Sequence, residues 1–163
     1  HQRERIINFL NPSADKLNKG YQLEQSKVAI GSGQMFGMGL GKGLQIEGKY
    51  LPYPYTDFIF SVIGEEFGFL GSLVVLALYA FVIWRGLRIA ALSKDFYGTL
   101  LATGATSIFF FHLIINVGMT LGIMPVTGLP LPFITAGGST MLTSLVAVAI
   151  VLNVGLRRMK IMF

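Results

Sequence analysis

The chain has 163 residues, of which 53% are hydrophobic and 13% are charged, and its formal net charge is +5. Soluble globular domains carry about 25% charged residues, so this composition indicates a membrane protein. Its Lys and Arg residues are scattered rather than gathered in one stripe, which argues against nucleic-acid binding. The absence of Cys excludes disulfides and thiolate metal sites. Because the chain begins with His1 and shows no signal peptide, we expect it to be the C-terminal part of a longer protein.

Residues 1–57 precede the first long apolar run and are predicted to form a large loop outside the membrane-spanning helices. An apolar stretch IINFL, a turn at NPSAD and an amphipathic stretch QLEQSKVAI follow one another there. This pattern predicts short amphipathic helices on the membrane surface.

A glycine-rich segment, GSGQMFGMGLGKG, follows the amphipathic stretch at residues 31–43. Such loops can cradle phosphate groups with their backbone amides, and Lys27 and Lys42 would then supply counter-charge. A Walker A loop is excluded, because Phe36 and Gly43 stand where that motif needs Gly and Ser or Thr. The other interpretation is a flexible surface loop whose glycines permit positive φ or close packing on the bilayer.

Three carboxylates, Asp57, Glu65 and Glu66, stand at the start of the first predicted span, residues 58–84. A charged group near lipid needs a partner or a function. Asp57 fits a helix N-cap or first-turn acid, and also a catalytic group. Glu65 would face a water-filled cavity or form an ion pair, and Glu66 would pair with another helix or an outer lysine. Helical spacing puts small residues below Asp57 on one face, which predicts a close helix-packing seam that comprises Ser61, Gly64, Gly68, Gly71 and Val75.

Residues 96–156 contain no Asp, Glu, Lys or Arg, and this stretch is too long for one span. Prolines and glycines at residues 122–134 predict a turn between spans 96–121 and 135–156. His112 and Asn116 lie one helical turn apart, which favours interhelical hydrogen bonds over metal binding. Hydroxyl groups continue into the last span, where we expect packing contacts, at Thr135, Ser139 and Thr143.

The positive-inside rule orients these spans. Basic residues cluster in the predicted loop 85–95 and the tail 157–163, and the turn 122–134 has none. The loop and the tail are therefore predicted to be cytoplasmic, and the turn and residues 1–57 extracytoplasmic. The predicted fold class is an all-α polytopic membrane helix bundle with about three transmembrane helices.

Long motifs in order give a resemblance to a known family. The stretches QSKVAIGSGQMFGMGLGKG, TDFIFSVIGEEFGFLG, NVGMTLGIMPVTGLPLPFITAGGST and LNVGLRRMKIMF resemble the C-terminal part of the SEDS family (shape, elongation, division and sporulation). NFLNPSADKLNKGYQ and the chain's ending are more similar to its RodA, or elongation, branch. The family pattern has Glu and His shortly before the TDFIF motif, whereas this chain has Pro52 to Thr56 there, and Ala136 stands where Tyr is typical.

The resemblance implies a peptidoglycan glycosyltransferase that polymerises lipid II in the bacterial inner membrane. The family's essential aspartate corresponds to Asp57, which would act as general base while undecaprenyl diphosphate leaves. The diphosphate would be held by cations, either Mg²⁺ or Mn²⁺ or the side chains of Lys27, Lys42, Arg3 and Arg5. Glu65 and Ser139 are further candidate substrate contacts.

The implied partners are a class B penicillin-binding protein and the membrane proteins of the elongation machinery. Two alternatives stay open, a flippase for lipid-linked sugars and a non-catalytic scaffold of the cell-wall synthesis complex. Intramembrane charges along a path would favour the flippase.

Overall fold

The computed structural model describes residues 19–43 and 56–157. Four helices follow one another in this part of the chain: α1 (Lys19–Ser32), α2 (Ile59–Ala91), α3 (Phe96–Thr120) and α4 (Gly138–Arg157). The described residues contain no strand, and α2, α3 and α4 are long and apolar enough to cross a membrane. The predicted all-α bundle with three spans is confirmed.

The helices pack as a small bundle in which α2 contacts each of the other three and α3 also contacts α1 and α4. Close approach is possible where small residues face each other. A Cβ on Gly86 of α2 would overlap the side chain of Thr106 on α3. Between α3 and α4 the buried residues Ala105, Phe109 and Ala147 form an apolar cluster.

Several predicted boundaries differ from the observed helices. α2 continues through Arg85 and Arg88 to Ala91, where a loop from residue 85 is predicted, because the segment has no proline and its Gly86 stays helical where it packs against Thr106. By contrast, α3 begins at Phe96, the predicted residue, where the Asp95 side chain accepts a hydrogen bond from Gly98 N. α4 begins at Gly138 rather than at residue 135.

The helix α2 is not continuous, because Gly68 has φ 67° and ψ −162° and leaves the helical conformation. Glycine adopts this backbone at little steric cost. A break leaves backbone carbonyls and amides without helical partners, and these groups need other hydrogen bonds in an apolar setting.

The segment 33–43, which we call the glycine-rich loop, supplies those partners. The amides of Met38 and Gly39 donate to the carbonyls of Glu65 and Glu66, at 2.9 and 3.0 Å. On the other side of the break, Phe69 N donates to Gln34 O at 2.8 Å, and Leu70 N donates to Met35 O at 3.2 Å. The loop is therefore built into the broken helix by backbone hydrogen bonds.

The break also shortens the predicted packing seam. Ser61 and Gly64 face α1: Ser61 Oγ lies 2.6 Å from Ser26 Oγ, and a Cβ on Gly64 would lie 3.1 Å from Ile30 Cγ1. Gly68 faces the glycine-rich loop. Beyond Gly68 the register changes, so that Val75 packs on the cluster formed by Ile59, Val62, Tyr79 and Leu131, and Gly71 has Phe67 of its own helix as nearest neighbour.

Candidate active site

The irregular segment 121–137, which we call the proline turn, connects α3 to α4. Its prolines have no N–H, so its carbonyls need donors from elsewhere. Asn116 Nδ2 donates to Leu129 O at 2.7 Å, and His112 Nδ1 donates to Pro130 O at 2.9 Å. The hydroxyl of Tyr79 on α2 donates to Pro132 O. Two transmembrane helices thus hold the turn by its backbone.

The backbone at Asp57 is held by hydrogen bonds from residues that also hold the proline turn. Asn116, whose side chain is fully buried, donates its second Nδ2 hydrogen bond to the backbone carbonyl of Asp57 at 3.0 Å. Next to it, Thr135 Oγ1 donates to Thr56 O at 3.3 Å and accepts from Leu131 N at 2.8 Å. The backbone on both sides of the Asp57 Cα is therefore anchored, to the proline turn on one side and to α3 on the other.

The Asp57 side chain is half-buried and lies beside Gly128, which has φ 75°. A Cβ at Gly128 would lie 3.2 Å from Asp57 Oδ2, so the bare glycine backbone leaves space next to the carboxylate. The N-cap of α2 is Phe58, and no side chain caps that helix end. The interpretation of Asp57 as an N-cap is therefore wrong, because the residue precedes the cap and faces the turn.

Lys27 lies on α1, and its side chain contacts the start of the proline turn. Its neighbour Ser26 is fully buried and donates to Thr120 O, at the C-terminus of α3, at 2.8 Å. This contact brings the exposed Lys27 side chain against Gly122, where an added Cβ would overlap it. Gly122, with φ 76°, ends α3 through amide hydrogen bonds to Met119 O and, from Ile123, to Gly118 O. The same turn thus contacts Lys27 at one point and Asp57 at another.

The other two acids lie on α2 beside the glycine-rich loop and not at the proline turn. Glu65 is 0% exposed. Glu66 Oε1 accepts a hydrogen bond from Gly41 N at 3.0 Å, which replaces the expected lysine or second helix as its partner. Lys42 is exposed and packs against Gly39 of the loop.

Four amides of the glycine-rich loop are hydrogen-bonded within the protein and are not free to hold a phosphate in this conformation. Those of Gly37, Met38, Gly39 and Gly41 all donate to protein oxygens, at 2.7 to 3.0 Å. The positive φ values of Gly37, Gly39 and Gly41 shape the loop around the break in α2. Gly37 also permits close packing on α2, because a Cβ at this position would overlap the backbone of Glu66.

Ser139 lies in the first turn of α4, where it is exposed. With His112, Thr140 and Ser144 it lines a pocket of about 160 Å³ between α3 and α4. Arg3 and Arg5 lie outside the described residues. Across residues 19–43 and 56–157, no group of three His, Cys, Asp or Glu side chains could hold a metal ion. A divalent ion at Asp57 would be bound by this carboxylate together with other oxygen ligands, such as water or substrate phosphate.

The sequence does not predict which groups hold the proline turn and Asp57 in place. Tyr79 stands in an uninterrupted apolar run, and nothing in that run distinguishes it from a lipid-facing residue. The spacing of His112 and Asn116 predicts interhelical hydrogen bonds, but their acceptors are backbone carbonyls of the turn and of Asp57.

The fold and site define a helical membrane protein with an anchored, half-buried aspartate at one end of its bundle. The profile of the FtsW, RodA and SpoVE family, described as "Cell cycle protein", matches residues 1–160. The chain belongs to this family.

Curated relatives agree with this membership. Peptidoglycan glycosyltransferase RodA of Treponema pallidum is 43% identical over 98% of this chain and 37% of its own length. Stage V sporulation protein E of Bacillus subtilis is 46% identical, over 93% of this chain and 41% of its own length. Peptidoglycan glycosyltransferase MrdB of Escherichia coli K12 is 42% identical, over 97% of this chain and 43% of its own length. The chain thus spans about two fifths of the length of these relatives.

Two solved structures share the fold. A structure reported as "Structural coordination of polymerization and crosslinking by a peptidoglycan synthase complex" has a chain that is 31% identical to this one, with a TM-score of 0.75, over 98% of this chain and 43% of its own. A crystal structure of a mutant of the Thermus thermophilus rod shape determining protein RodA is 36% identical, with a TM-score of 0.61, over 64% of this chain and 35% of that one.

Proposed function

We propose that this chain is part of a peptidoglycan glycosyltransferase that polymerises lipid II into glycan strands, with Asp57 as general base. Relatives that cover nearly the whole chain are named as peptidoglycan glycosyltransferases. The RodA branch, and with it a role in cell elongation and shape, is part of the proposal.

The proposed step needs one base. A sugar hydroxyl of one lipid II molecule attacks the anomeric carbon of the growing chain, and the Asp57 carboxylate takes the hydroxyl proton. The bond from that carbon to the diphosphate breaks, and undecaprenyl diphosphate leaves with the electron pair. Because a diphosphate leaves as a stable anion, it needs cations and no second carboxylic acid.

The observation that carries the proposal is that the backbone at Asp57 is held by hydrogen bonds while its side chain remains accessible. Its backbone is held by Asn116 and its neighbour's by Thr135, while its side chain stays half-exposed beside Gly128. A base must be fixed to act on one hydroxyl, yet it must be reachable by substrate.

Lys27 is the described cation that best suits the diphosphate, because it contacts the same turn as Asp57. Lys42 belongs to the glycine-rich loop near the break in α2. Glu65 is fully buried, which supports a structural role for it more than substrate contact. Arg3, Arg5, Ser139 and a divalent ion stay as further candidates for the substrate.

We further propose that the Asp57 end of the bundle faces outward from the bacterial inner membrane and that the C-terminus is cytoplasmic. The basic residues Arg85, Lys94 and Arg157 at the opposite end support this orientation. The related structure of a peptidoglycan synthase complex that coordinates polymerisation and crosslinking supports a class B penicillin-binding protein as a partner. Membrane proteins of the elongation machinery are further proposed partners.

The test uses the full-length protein with its transpeptidase partner and lipid II in detergent. Wild type should form glycan polymer, and Asp57→Ala and Asp57→Asn should lose at least about 100-fold in rate, since a general base contributes about 10² to 10⁴. Asp95→Asn, which removes the carboxylate that caps α3 at the far end, is the matched control and should keep the wild-type rate.

Polymer formation by Asp57→Ala at the wild-type rate would refute the role of Asp57. A protein that translocates lipid-linked sugar in vesicles without polymerising it would instead be a flippase. If the partner protein alone catalyses polymerisation, this protein would be a non-catalytic scaffold.

A further inference from the structure

An open cleft of about 650 Å³ lies at the end of the bundle opposite to Asp57. It separates the last turns of α2 from those of α4. Two cationic and several aliphatic side chains face it, among them Arg85, Arg88, Leu92, Leu152 and Leu156. Gly155 of α4 also lines it, and the missing side chain at that position keeps the cleft wide.

The two arginines form one cationic rim. They are three residues apart on α2, so they project from the same side of the helix. The Arg88 guanidinium carbon lies 5.5 Å from the centre of the Trp84 ring, a cation–π arrangement that restricts where this side chain points. Trp and Arg together are typical of the boundary between lipid and water.

Little negative charge is available nearby to neutralise this rim. Between Phe67 and Arg157 the sequence contains a single carboxylate, Asp95. Its side chain accepts from Gly98 N and caps α3. An anion from outside this segment would therefore complement the rim.

We infer that the cleft binds an anionic phospholipid of the adjacent leaflet, with the headgroup phosphate on Arg85 and Arg88 and an acyl chain along the aliphatic wall. Guanidinium groups bind phosphate oxygens in a forked geometry. Phosphate alone would satisfy the rim and leave the leucines uncovered, whereas a phospholipid matches both parts. This lipid site is independent of the catalytic role of Asp57.

The experiment measures lipid binding to the full-length protein in neutral detergent, by native mass spectrometry and by the thermal unfolding midpoint. Phosphatidylglycerol should bind and raise the midpoint, and phosphatidylcholine should do so much less. Affinity for phosphatidylglycerol should fall about tenfold or more in R85Q/R88Q, because each basic residue near an anionic lipid contributes measurably to binding. R85K/R88K should bind phosphatidylglycerol with an affinity between those of wild type and R85Q/R88Q, because Lys keeps the positive charge but lacks the forked guanidinium.

Two variants serve as matched controls. Lys94→Gln removes one exposed positive charge at the same end of the bundle but outside the cleft, and should bind like wild type. Gly155→Leu keeps both arginines and fills the cleft, and should lose phosphatidylglycerol binding. Its nearest neighbour, Ile89, is 3.5 Å from an added Cβ, so the start of the new side chain is accommodated.

The inference is overturned if R85Q/R88Q binds phosphatidylglycerol as wild type does, or if K94Q loses as much affinity as that double variant. It is also overturned if inorganic phosphate displaces the lipid at equal concentration, which would indicate a simple anion site. Failure of wild type to bind either lipid would mean that another part of the protein fills the cleft, and it counts against the proposal in the same way.

Discussion

At the scale of single residues, Asn116 connects three parts of the candidate active site. Its amide donates to Asp57 O and to Leu129 O, and its Oδ1 is buried without a hydrogen-bond partner among the described residues. A buried amide that holds two carbonyls fixes the distance between the start of α2 and the proline turn. Asn116 is thus a positioning residue for Asp57.

Replacing Asn116 by Ala should lower the turnover number about 10- to 100-fold, because small displacements of a catalytic group are costly, and leave KM for lipid II nearly unchanged. Stability should fall by about 1 to 3 kcal/mol through the two lost hydrogen bonds. Polymerisation kinetics and thermal unfolding of the full-length protein measure both. Asn153→Ala, at an exposed Asn of α4, is the control and should alter neither. A loss of stability with normal turnover in the folded Asn116→Ala fraction would show that the residue only supports the fold.

Lys27 and Lys42 form a matched pair of exposed lysines with different surroundings. Lys27→Gln should raise KM for lipid II about tenfold, since a charged hydrogen bond contributes about 1.5 to 3 kcal/mol. Lys42→Gln should stay within about twofold, because that lysine lies on the loop at the break in α2. Steady-state kinetics over a range of lipid II concentrations would show the difference. Equal KM values in the two variants would remove Lys27 from the diphosphate site.

At the scale of elements, the glycine-rich loop and the two halves of α2 form one hydrogen-bonded unit. Four backbone hydrogen bonds cross the break, two on each side of Gly68. Substitution is sterically restricted here: a Cβ on Gly68 would overlap the backbone of Gly37, and one on Gly37 would overlap that of Glu66. The loop and the break therefore depend on each other.

Gly68→Ala should destabilise the protein by about 2 kcal/mol or more, because the substitution combines a positive φ with backbone overlap. The midpoint of thermal unfolding in detergent measures this. Gly31→Ala is the matched control, since Gly31 is helical with nothing within 4 Å of an added Cβ, and it should be neutral or slightly stabilising. Equal midpoints for Gly68→Ala and wild type would mean that the break is not held by the loop.

At the scale of the whole molecule, charge is distributed unequally between the two ends of the bundle. Glu65, Glu66 and Asp57 lie toward one end, and Arg85, Lys94 and Arg157 lie toward the other, with the apolar spans between them. The positive-inside rule considers only the basic residues of the short segments, Arg85, Lys94 and Arg157 among them, and these support the orientation that the catalytic proposal requires.

Single cysteines test that orientation, because the chain itself contains no Cys. In a full-length protein cleared of other cysteines, Ile123→Cys in the proline turn should react with a membrane-impermeant maleimide added outside. Lys94→Cys should react only after the membrane is permeabilised. Both side chains are exposed at these positions. The reverse labelling pattern would place Asp57 on the cytoplasmic side and end its proposed role in joining sugars outside.

Much of the architecture can be read from the amino-acid sequence, because membrane spans depend on the local length of apolar runs and orientation on local charge. These local features predict three spans, a turn rich in proline and an aspartate at the start of the first span. The long motifs identify the family. The helix ends are less well predicted, since α2 runs beyond Trp84 to Ala91 although the apolar run ends at Arg85.

Only the tertiary structure decides what the polar groups contact, because their partners are distant in sequence. Asp57 and Asn116 are 59 residues apart, and Ser26 and Thr120 are 94 apart. Regular helical spacing cannot anticipate the break at Gly68, where hydrogen bonds from a separate segment replace those of the helix. These long-range contacts distinguish an anchored aspartate from a helix cap, and a packed glycine-rich loop from a phosphate cradle.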